Sequence, residues 1–254
     1  MGKAAVSARY AADPRSGQAK NPLASFATDS PDARKEQGTM RQIITVATMK
    51  GGSGKSTVAS CLAIHWQLTG RNPAIIDADP QRSIARLAAR ERALGGVEVV
   101  EDSSVDAWRT ARKIAGTGRQ VVIDTAGFRS EATLACIAAA DFLLVPVKAS
   151  PLDIDRMLDT LNSLIEASGA RRPLYRCLLT QTTRDSVIAK HIRAELTEAG
   201  FPVLNTEMNN RVIYAEAALW GATPTLIEPS GAAAREIAAI AAEIDDLTGL
   251  QAAA

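Results

Sequence analysis

The sequence predicts an α/β protein: a doubly wound, mostly parallel sheet with helices on both faces. Three observations carry this reading. Short β-branched runs alternate with helix-length stretches along residues 42–247. The strand runs are continuously apolar, as strands covered on both faces are, rather than alternating. The chain has 254 residues, 46% apolar and 22% charged, enough to bury the core of one large domain.

The elements follow in order. Ile43-Ile44-Thr45-Val46-Ala47 is β-branched and apolar, fit for a buried strand. A glycine-rich turn follows, then a helical stretch from Ser56 to about Thr69, closed by Gly70. Ala74-Ile75-Ile76-Asp77 reads as the second strand, and residues 83–94 as a helix rich in Ala and Arg. Residues 97–100 form a short strand and 104–115 a helix; residues 120–124 form a strand, 130–140 a helix and 142–147 a strand. The pattern continues with a helix at 152–167, a strand at 175–179, and a helix at 186–199 closed by Gly200. Val203-Leu204 is a candidate last strand, and helical stretches near 211–219 and 231–247 end the chain. No self-similarity with a 20–50-residue period is visible, which argues against a repeat architecture.

Residues 1–40 have another character. They hold Pro14, Pro22 and Pro31, no apolar periodicity, and six basic against four acidic residues. Such a segment buries too little to offset its ordering entropy, so residues 1–40 are expected to be a disordered N-terminal extension and 41–254 the domain. The extension is either inert, with Met40 just ahead of the first strand, or a tail that touches a partner. The domain carries 23 basic and 24 acidic residues. A formal net charge of +1 excludes a surface built throughout to coat nucleic acid or membrane, though not a local basic patch. Cys61, Cys136 and Cys177 are isolated, which excludes a disulfide framework and paired-cysteine metal sites and suits a reducing cytoplasm. No apolar run reaches membrane-span length, and no signal peptide is evident.

The chemistry is concentrated in Thr48-Met49-Lys50-Gly51-Gly52-Ser53-Gly54-Lys55-Ser56-Thr57, between an expected strand and an expected helix. Glycines let successive backbone N–H groups turn inward and form an anion-binding nest. The helix that follows aims its positive end at the same point. Lys55 adds a full charge for the β- and γ-phosphates, and the Ser56 hydroxyl suits Mg2+. The strict phosphate-loop pattern is not met, because Met49 stands where its first glycine would fall. Instead a second lysine, Lys50, opens the loop.

This resembles the deviant Walker A motif of the ParA/MinD family of P-loop ATPases. The resemblance implies that Lys50 reaches across a dimer interface to the partner's nucleotide. It makes Lys50, Gly51, Gly52, Ser53, Gly54, Lys55, Ser56 and Thr57 the ATP-binding loop. Ile75-Ile76-Asp77-Ala78-Asp79-Pro80-Gln81 is similar to the family's DxDPQ block, at a strand's C-terminal end where doubly wound sheets bind ligands. By that resemblance Asp79 helps orient the attacking water and Asp77 supports the Mg2+ site; the other reading is a turn whose Asp residues cap the next helix. Val121-Val122-Ile123-Asp124 looks like a Walker B strand that presents Asp124 to a magnesium-bound water. The family usually has a proline just beyond this Asp, whereas Thr125-Ala126-Gly127 follows here.

The resemblance covers about residues 42–247. Ala140-Asp141 with Pro146, followed by Pro151 and Asp155, matches a further family strand. Leu178-Leu179-Thr180-Gln181 lies where many relatives have an adenine-contacting Asn, so Thr180 is the candidate for that contact. Asn210-Arg211, Ala215-Glu216-Ala217 and Gly221 match a late block that helps close the nucleotide pocket, which makes Arg211 an ATP-binding candidate. The family resemblance thus implies ATP and Mg2+ as cofactors, hydrolysis to ADP and phosphate with Lys50, Lys55 and Asp79 as the catalytic residues, and Ser56, Asp77 and Asp124 at the metal. It further implies a homodimer on ATP binding, nonspecific DNA contact through Arg184, Lys190 and Arg193, a ParB-like or cargo adaptor that stimulates hydrolysis, and a cytoplasmic, nucleoid-associated protein active in partition or cargo positioning.

Competing features are weaker. His65 shares a helix face with Cys61, but His191 is the only other histidine, so a packed or solvated face is the expectation. Arg82, Arg86, Arg90 and Arg92 read as a solvated basic face. Residues 231–254 hold Arg235 against Glu236, Glu243, Asp245 and Asp246, and an acidic Ala/Ile-rich helix packs on the fold rather than on a lipid surface. That disfavours a MinD-like membrane-associated ATPase. A metabolic ATP-dependent ligase on the same fold is the other alternative, and it lacks a visible substrate signature.

Overall fold

The computed structural model describes residues 42–48, 51–127, 130–150 and 173–249, with Leu158, residues 161–163 and Glu166. The expected N-terminal extension, Lys50, Pro151 and Asp155 lie outside the described residues. So does most of the expected helix at 152–167, whose described residues are helical.

Seven parallel strands form one sheet: β1 (Gln42–Val46), β2 (Ala74–Ala78), β3 (Glu98–Glu101), β4 (Gln120–Thr125), β5 (Phe142–Lys148), β6 (Leu174–Thr182) and β7 (Met208–Asn209). Their order is β3-β2-β4-β1-β5-β6-β7. From central β1 the chain runs outward to β2 and β3 and returns through β4. It then builds β5, β6 and β7 on the other side. The crevice at the C-terminal end of β1 is where such sheets bind ligands.

The helices are α1 (Lys55–Leu68), α2 (Ser83–Ala88), α3 (Ala107–Ala115), α4 (Glu131–Ala139), α5 (Val187–Glu198), α6 (Val212–Leu219), α7 (Pro224–Ile227) and α8 (Ala232–Thr248). Strand periodicity sorts the core into two layers. Ile44, Val46, Ile75, Val122, Phe142, Leu144 and Leu178 pack with α1 and α8. Their neighbours in sequence face the other way: Ile43, Ile76, Val121 and Ile123 pack with α3, and Leu143, Val145, Cys177 and Leu179 pack with α5. By the same alternation Asp77, Asp124 and Thr180 belong to the α1 side, which decides where the site can form. Helix α1 is buried nearly all round, from Val58 to Ile64 and at Trp66, because it lies between the sheet and α8. Arg71 closes that sandwich with hydrogen bonds of 2.8 and 2.6 Å to Asp245.

Helix α8 packs as its sequence suggests, burying Ala233, Ala234, Ile237, Ile240, Ala241 and Ile244. No helix among the described residues is long and apolar enough to cross a membrane.

Three expectations need correction. The helix expected over 83–94 ends at Ala88, and residues Ala93–Gly96 form a 3-10 turn. There the Arg92 and Leu94 N–H groups leave the helix and donate to the Trp220 and Gly221 carbonyls at 2.8 Å each, with Leu94 in the left-handed region. Val203 makes only a single bridge to Cys177, and the last strand is Met208–Asn209, too short for any periodicity to announce. Helix α7 was not expected, although Thr223 before Pro224 is a start signal for a helix.

Gly221 is where α2 meets the α6–α7 turn. Its φ is +67°, and an added Cβ would lie 2.4 Å from the Leu87 carbonyl oxygen and 2.6 Å from Arg90 Cβ. Gly221→Ala combines left-handed strain with overpacking and should lower the unfolding free energy by about 2–4 kcal/mol. Urea denaturation checks this value.

Candidate functional site

The loop after β1 turns through Gly52 (φ +78°) and Gly54 (φ +90°), a conformation that side chains with a Cβ adopt at a cost. A Cβ at Gly51, Gly52 or Gly54 would meet nothing within 4 Å, so no close packing demands glycine at these positions. Gly54 caps α1, and its carbonyl accepts the Val58 N–H at 2.8 Å. Lys55 and Ser56 therefore occupy the first turn of α1, beside the positive end of the helix dipole. Ser53 is buried, whereas Thr57 is exposed.

The ends of two strands, β4 and β6, support this region. Thr125 Oγ1 at the end of β4 donates to the Val46 carbonyl at 3.0 Å. Thr125, the residue after Asp124, thus ties β4 to the end of β1. From β6, Thr180 Oγ1 donates to the Ser53 carbonyl at 2.9 Å and Gln181 Nε2 donates to the Gly52 carbonyl at 2.6 Å.

Asp124 lies opposite Val46 and Asp77 in the sheet register, on the α1 side. Its side chain is fully buried, and among the described residues neither carboxylate oxygen has a hydrogen-bond partner. Burial pushes its pKa up to about 7. The Ser56 hydroxyl and the Lys55 charge draw it back, though Ser56 does not complete hydrogen-bond geometry, and Asp77 and Asp79 push it up. A buried carboxylate without partners is costly unless a cation faces it. Asp124 beside the Ser56 hydroxyl, below the anion nest, is a donor set that fits Mg2+ shared with phosphate oxygens and waters. Among the described residues no cluster of three His, Cys, Asp or Glu side chains offers an all-protein metal cage.

Asp77 is bound to the backbone of the segment that follows it. It is buried, Oδ2 accepts the Ala85 N–H at 2.9 Å, and Oδ1 accepts the Asp79 N–H at 3.3 Å. Burial raises its pKa and these backbone donors lower it. Through these bonds Asp77 holds the start of α2. Asp79 lies beyond the strand, half-buried, with Oδ1 accepting the Gln81 N–H at 2.8 Å.

Thr180, Arg211 and Arg193 each have partners within the fold. Thr180 is 1% exposed and its hydroxyl donates to the Ser53 carbonyl of the loop. Arg211 at the start of α6 is paired with Glu236 of α8, which also accepts from Asn209 Nδ2 at 2.8 Å; the pair braces β7 against α8. Arg193 donates to the Leu204 and Asn205 carbonyls and to Glu207 at 2.6, 3.2 and 2.9 Å, so it pins a loop instead of facing nucleic acid. Arg184 and Lys190 are exposed, as surface contacts would be. Of the residues sequence reasoning missed, Gln181 has only its place after Thr180 as a signal, and Thr125 only its position after Asp124.

Cys61 is buried in the core, with burial pushing its thiol pKa up, which suits the packed-face expectation.

The raised Asp124 pKa has a sign that can be measured. Folding binds a proton more tightly here than the unfolded chain does, so this group's contribution is fully present below about pH 4 and lost as pH rises through about 7. Asp124→Asn should therefore raise the nucleotide-free melting temperature by several degrees at pH 8 and by little at pH 4. Thermal melts across this range check it.

Comparison with known proteins agrees with this geometry. The VirC1 protein family model matches residues 40–230. The chain is 29% identical over 209 residues to "Maintenance of carboxysome distribution protein A" of Gloeobacter kilaueensis, covering 80% of this chain and 94% of that protein. It is 26% identical to "Chromosome-partitioning ATPase Soj" of Thermus thermophilus, covering 79% of this chain and 94% of that one. Among solved structures, the septum site-determining protein MinD with Mg-ADP from Pyrococcus horikoshii shares the fold, with a TM-score of 0.65 and 16% identity over 83% of this chain and 98% of that one. The match to the family model over most of the domain, on a parallel sheet with a glycine-rich loop after β1, shows that the chain belongs to the VirC1 protein family, within the ParA/MinD-type P-loop ATPases.

Proposed function

We propose that the chain hydrolyses ATP to ADP and phosphate in a Mg2+-dependent reaction and acts as an ATP-dependent dimerisation switch in partition or cargo positioning. The observation that carries this is the unpartnered, buried Asp124 carboxylate beside Lys55 and Ser56, under a glycine-rich loop. The names of two relatives, one concerned with carboxysome distribution and one with chromosome partitioning, favour a positioning role.

In this reading the loop from Lys50 to Thr57 holds the phosphates through backbone N–H groups. Lys55 lends its charge to the transferring phosphoryl group, and Lys50 does so across the dimer interface. Asp79, half-buried just beyond the end of β2, orients the attacking water. Ser56 and Asp124 would hold Mg2+, which when bound supplies positive charge against the phosphate oxygens. Asp77 acts through α2, by fixing the chain that follows Asp79. Catalysis is then positioning and charge stabilisation.

The switch acts outward through surfaces. Arg184 and Lys190, exposed beyond β6, are the proposed contacts to nonspecific DNA, a salt-sensitive phosphate interaction. A ParB-like or cargo adaptor stimulates hydrolysis and releases the protein, which works in the cytoplasm and on the nucleoid when ATP-bound.

Lys55→Ala should lower ATP turnover by about 100-fold or more and abolish ATP-dependent retention on DNA at low salt. Steady-state phosphate release and a filter-retention assay read these two outcomes. Wild-type protein that is not retained on DNA with ATP contradicts the DNA half. A Lys50→Ala protein that dimerises and hydrolyses normally contradicts the role of the early lysine.

A further inference from the structure

Two successive peptide units of the phosphate loop are tethered from the end of β6. The Gly52 carbonyl accepts from Gln181 Nε2, and the Ser53 carbonyl accepts from Thr180 Oγ1. In a trans peptide the C=O and N–H lie in one plane and point in opposite directions. The Gly52 carbonyl shares its peptide with the Ser53 N–H, and the Ser53 carbonyl shares its peptide with the Gly54 N–H. Drawing both carbonyls onto β6 therefore turns both N–H groups away from β6. That is the arrangement an anion nest needs.

We infer that Thr180 and Gln181 are positioning residues, which hold the Gly52 and Ser53 carbonyls outward so that the Ser53 and Gly54 N–H groups face the phosphates. The inference rests on the nucleotide reading of the site above. It assigns β6 to the polyphosphate, through the loop, and not to the base.

The local build of β6 supports it. Gln181 has φ +54°, a strained value for a residue with a side chain, and the β6–β7 register shifts between Thr180 and Thr182. This irregularity is what lets two consecutive residues serve the same loop, since in a regular strand neighbouring side chains point to opposite faces. The base of the tether is anchored on both sides. The Thr180 carbonyl accepts the Ala149 N–H at 3.1 Å, and the Thr182 carbonyl accepts the Asn210 N–H at 2.8 Å. The Thr180 hydroxyl is sealed from solvent, so it acts on a ligand only through the backbone it holds.

The test uses the full chain with Thr180→Val, Thr180→Ser and Gln181→Leu. Affinity for Mg-ADP and for inorganic pyrophosphate is measured by calorimetry, with nucleotide-free melting temperatures alongside. Pyrophosphate carries no base, so it isolates the loop. Thr180→Val and Gln181→Leu should each weaken both ligands about 5- to 20-fold, while Thr180→Ser, which keeps the donor, stays within about 2-fold of wild type. Variants that bind pyrophosphate as tightly as wild type overturn the inference and leave the nucleotide reading standing. Wild-type protein that binds neither Mg-ADP nor pyrophosphate overturns both. Should Thr180→Val fold poorly, Gln181→Leu, at a less buried position, decides the matter on its own.

Discussion

The site is organised around one buried negative charge. Asp124 lies next to the end of its strand, with both carboxylate oxygens sealed from water and without a hydrogen-bond partner among the described residues. Left alone, such a group neutralises itself, and its pKa of about 7 expresses that tendency. The surroundings gather positive potential at the same point: the first turn of α1, the Lys55 side chain, and the turned glycines above. A phosphate loop and a buried carboxylate make poor neighbours unless a cation sits between phosphate and protein. The proposed magnesium site resolves that conflict.

Holding this arrangement takes support from several directions. The end of β1 is tied to β4 through Thr125, and the loop to β6 through Thr180 and Gln181. The segment after Asp79 is set by Asp77, whose carboxylate accepts the Ala85 N–H at the start of α2. Helix α2 is in turn followed by a 3-10 turn whose N–H groups are bound by Trp220 and Gly221, beyond α6. Helix α6 begins at Arg211, and Arg211 is held by Glu236 of α8. Helix α8 packs on α1 and is joined by Arg71 and Asp245. The chain of contacts returns to the helix that starts at Lys55.

Much of this could be read from residues in order. The fold was readable because parallel strands bury both faces, which makes runs such as Val121-Val122-Ile123 unmistakable. The phosphate loop and Asp124 were readable because glycine conformation and strand-end position leave strong local signals. What escaped depends on tertiary partners. Asp77 and Asp79 share a face along the strand, but only the position of α2 shows that Asp77 holds its start. Thr180, Arg211 and Arg193 each have suitable chemistry for the ligand contacts the resemblance suggested. Their donors also serve Ser53, Glu236 and the 204–207 loop, partners that local sequence does not reveal. The left-handed turn at Gln181 leaves no trace in composition at all.

The central claim is that Asp124 faces the proposed magnesium ion as a carboxylate. The most direct measurement is proton release on Mg-ADP binding near pH 6.5, by calorimetry in buffers of different ionisation enthalpy. Asp124, partly protonated at that pH in the free protein, must ionise to face the cation. Wild-type protein should therefore release a substantial fraction of a proton more than Asp124→Asn does. Equal proton release from the two proteins, with both binding Mg-ADP equally well, would contradict the account.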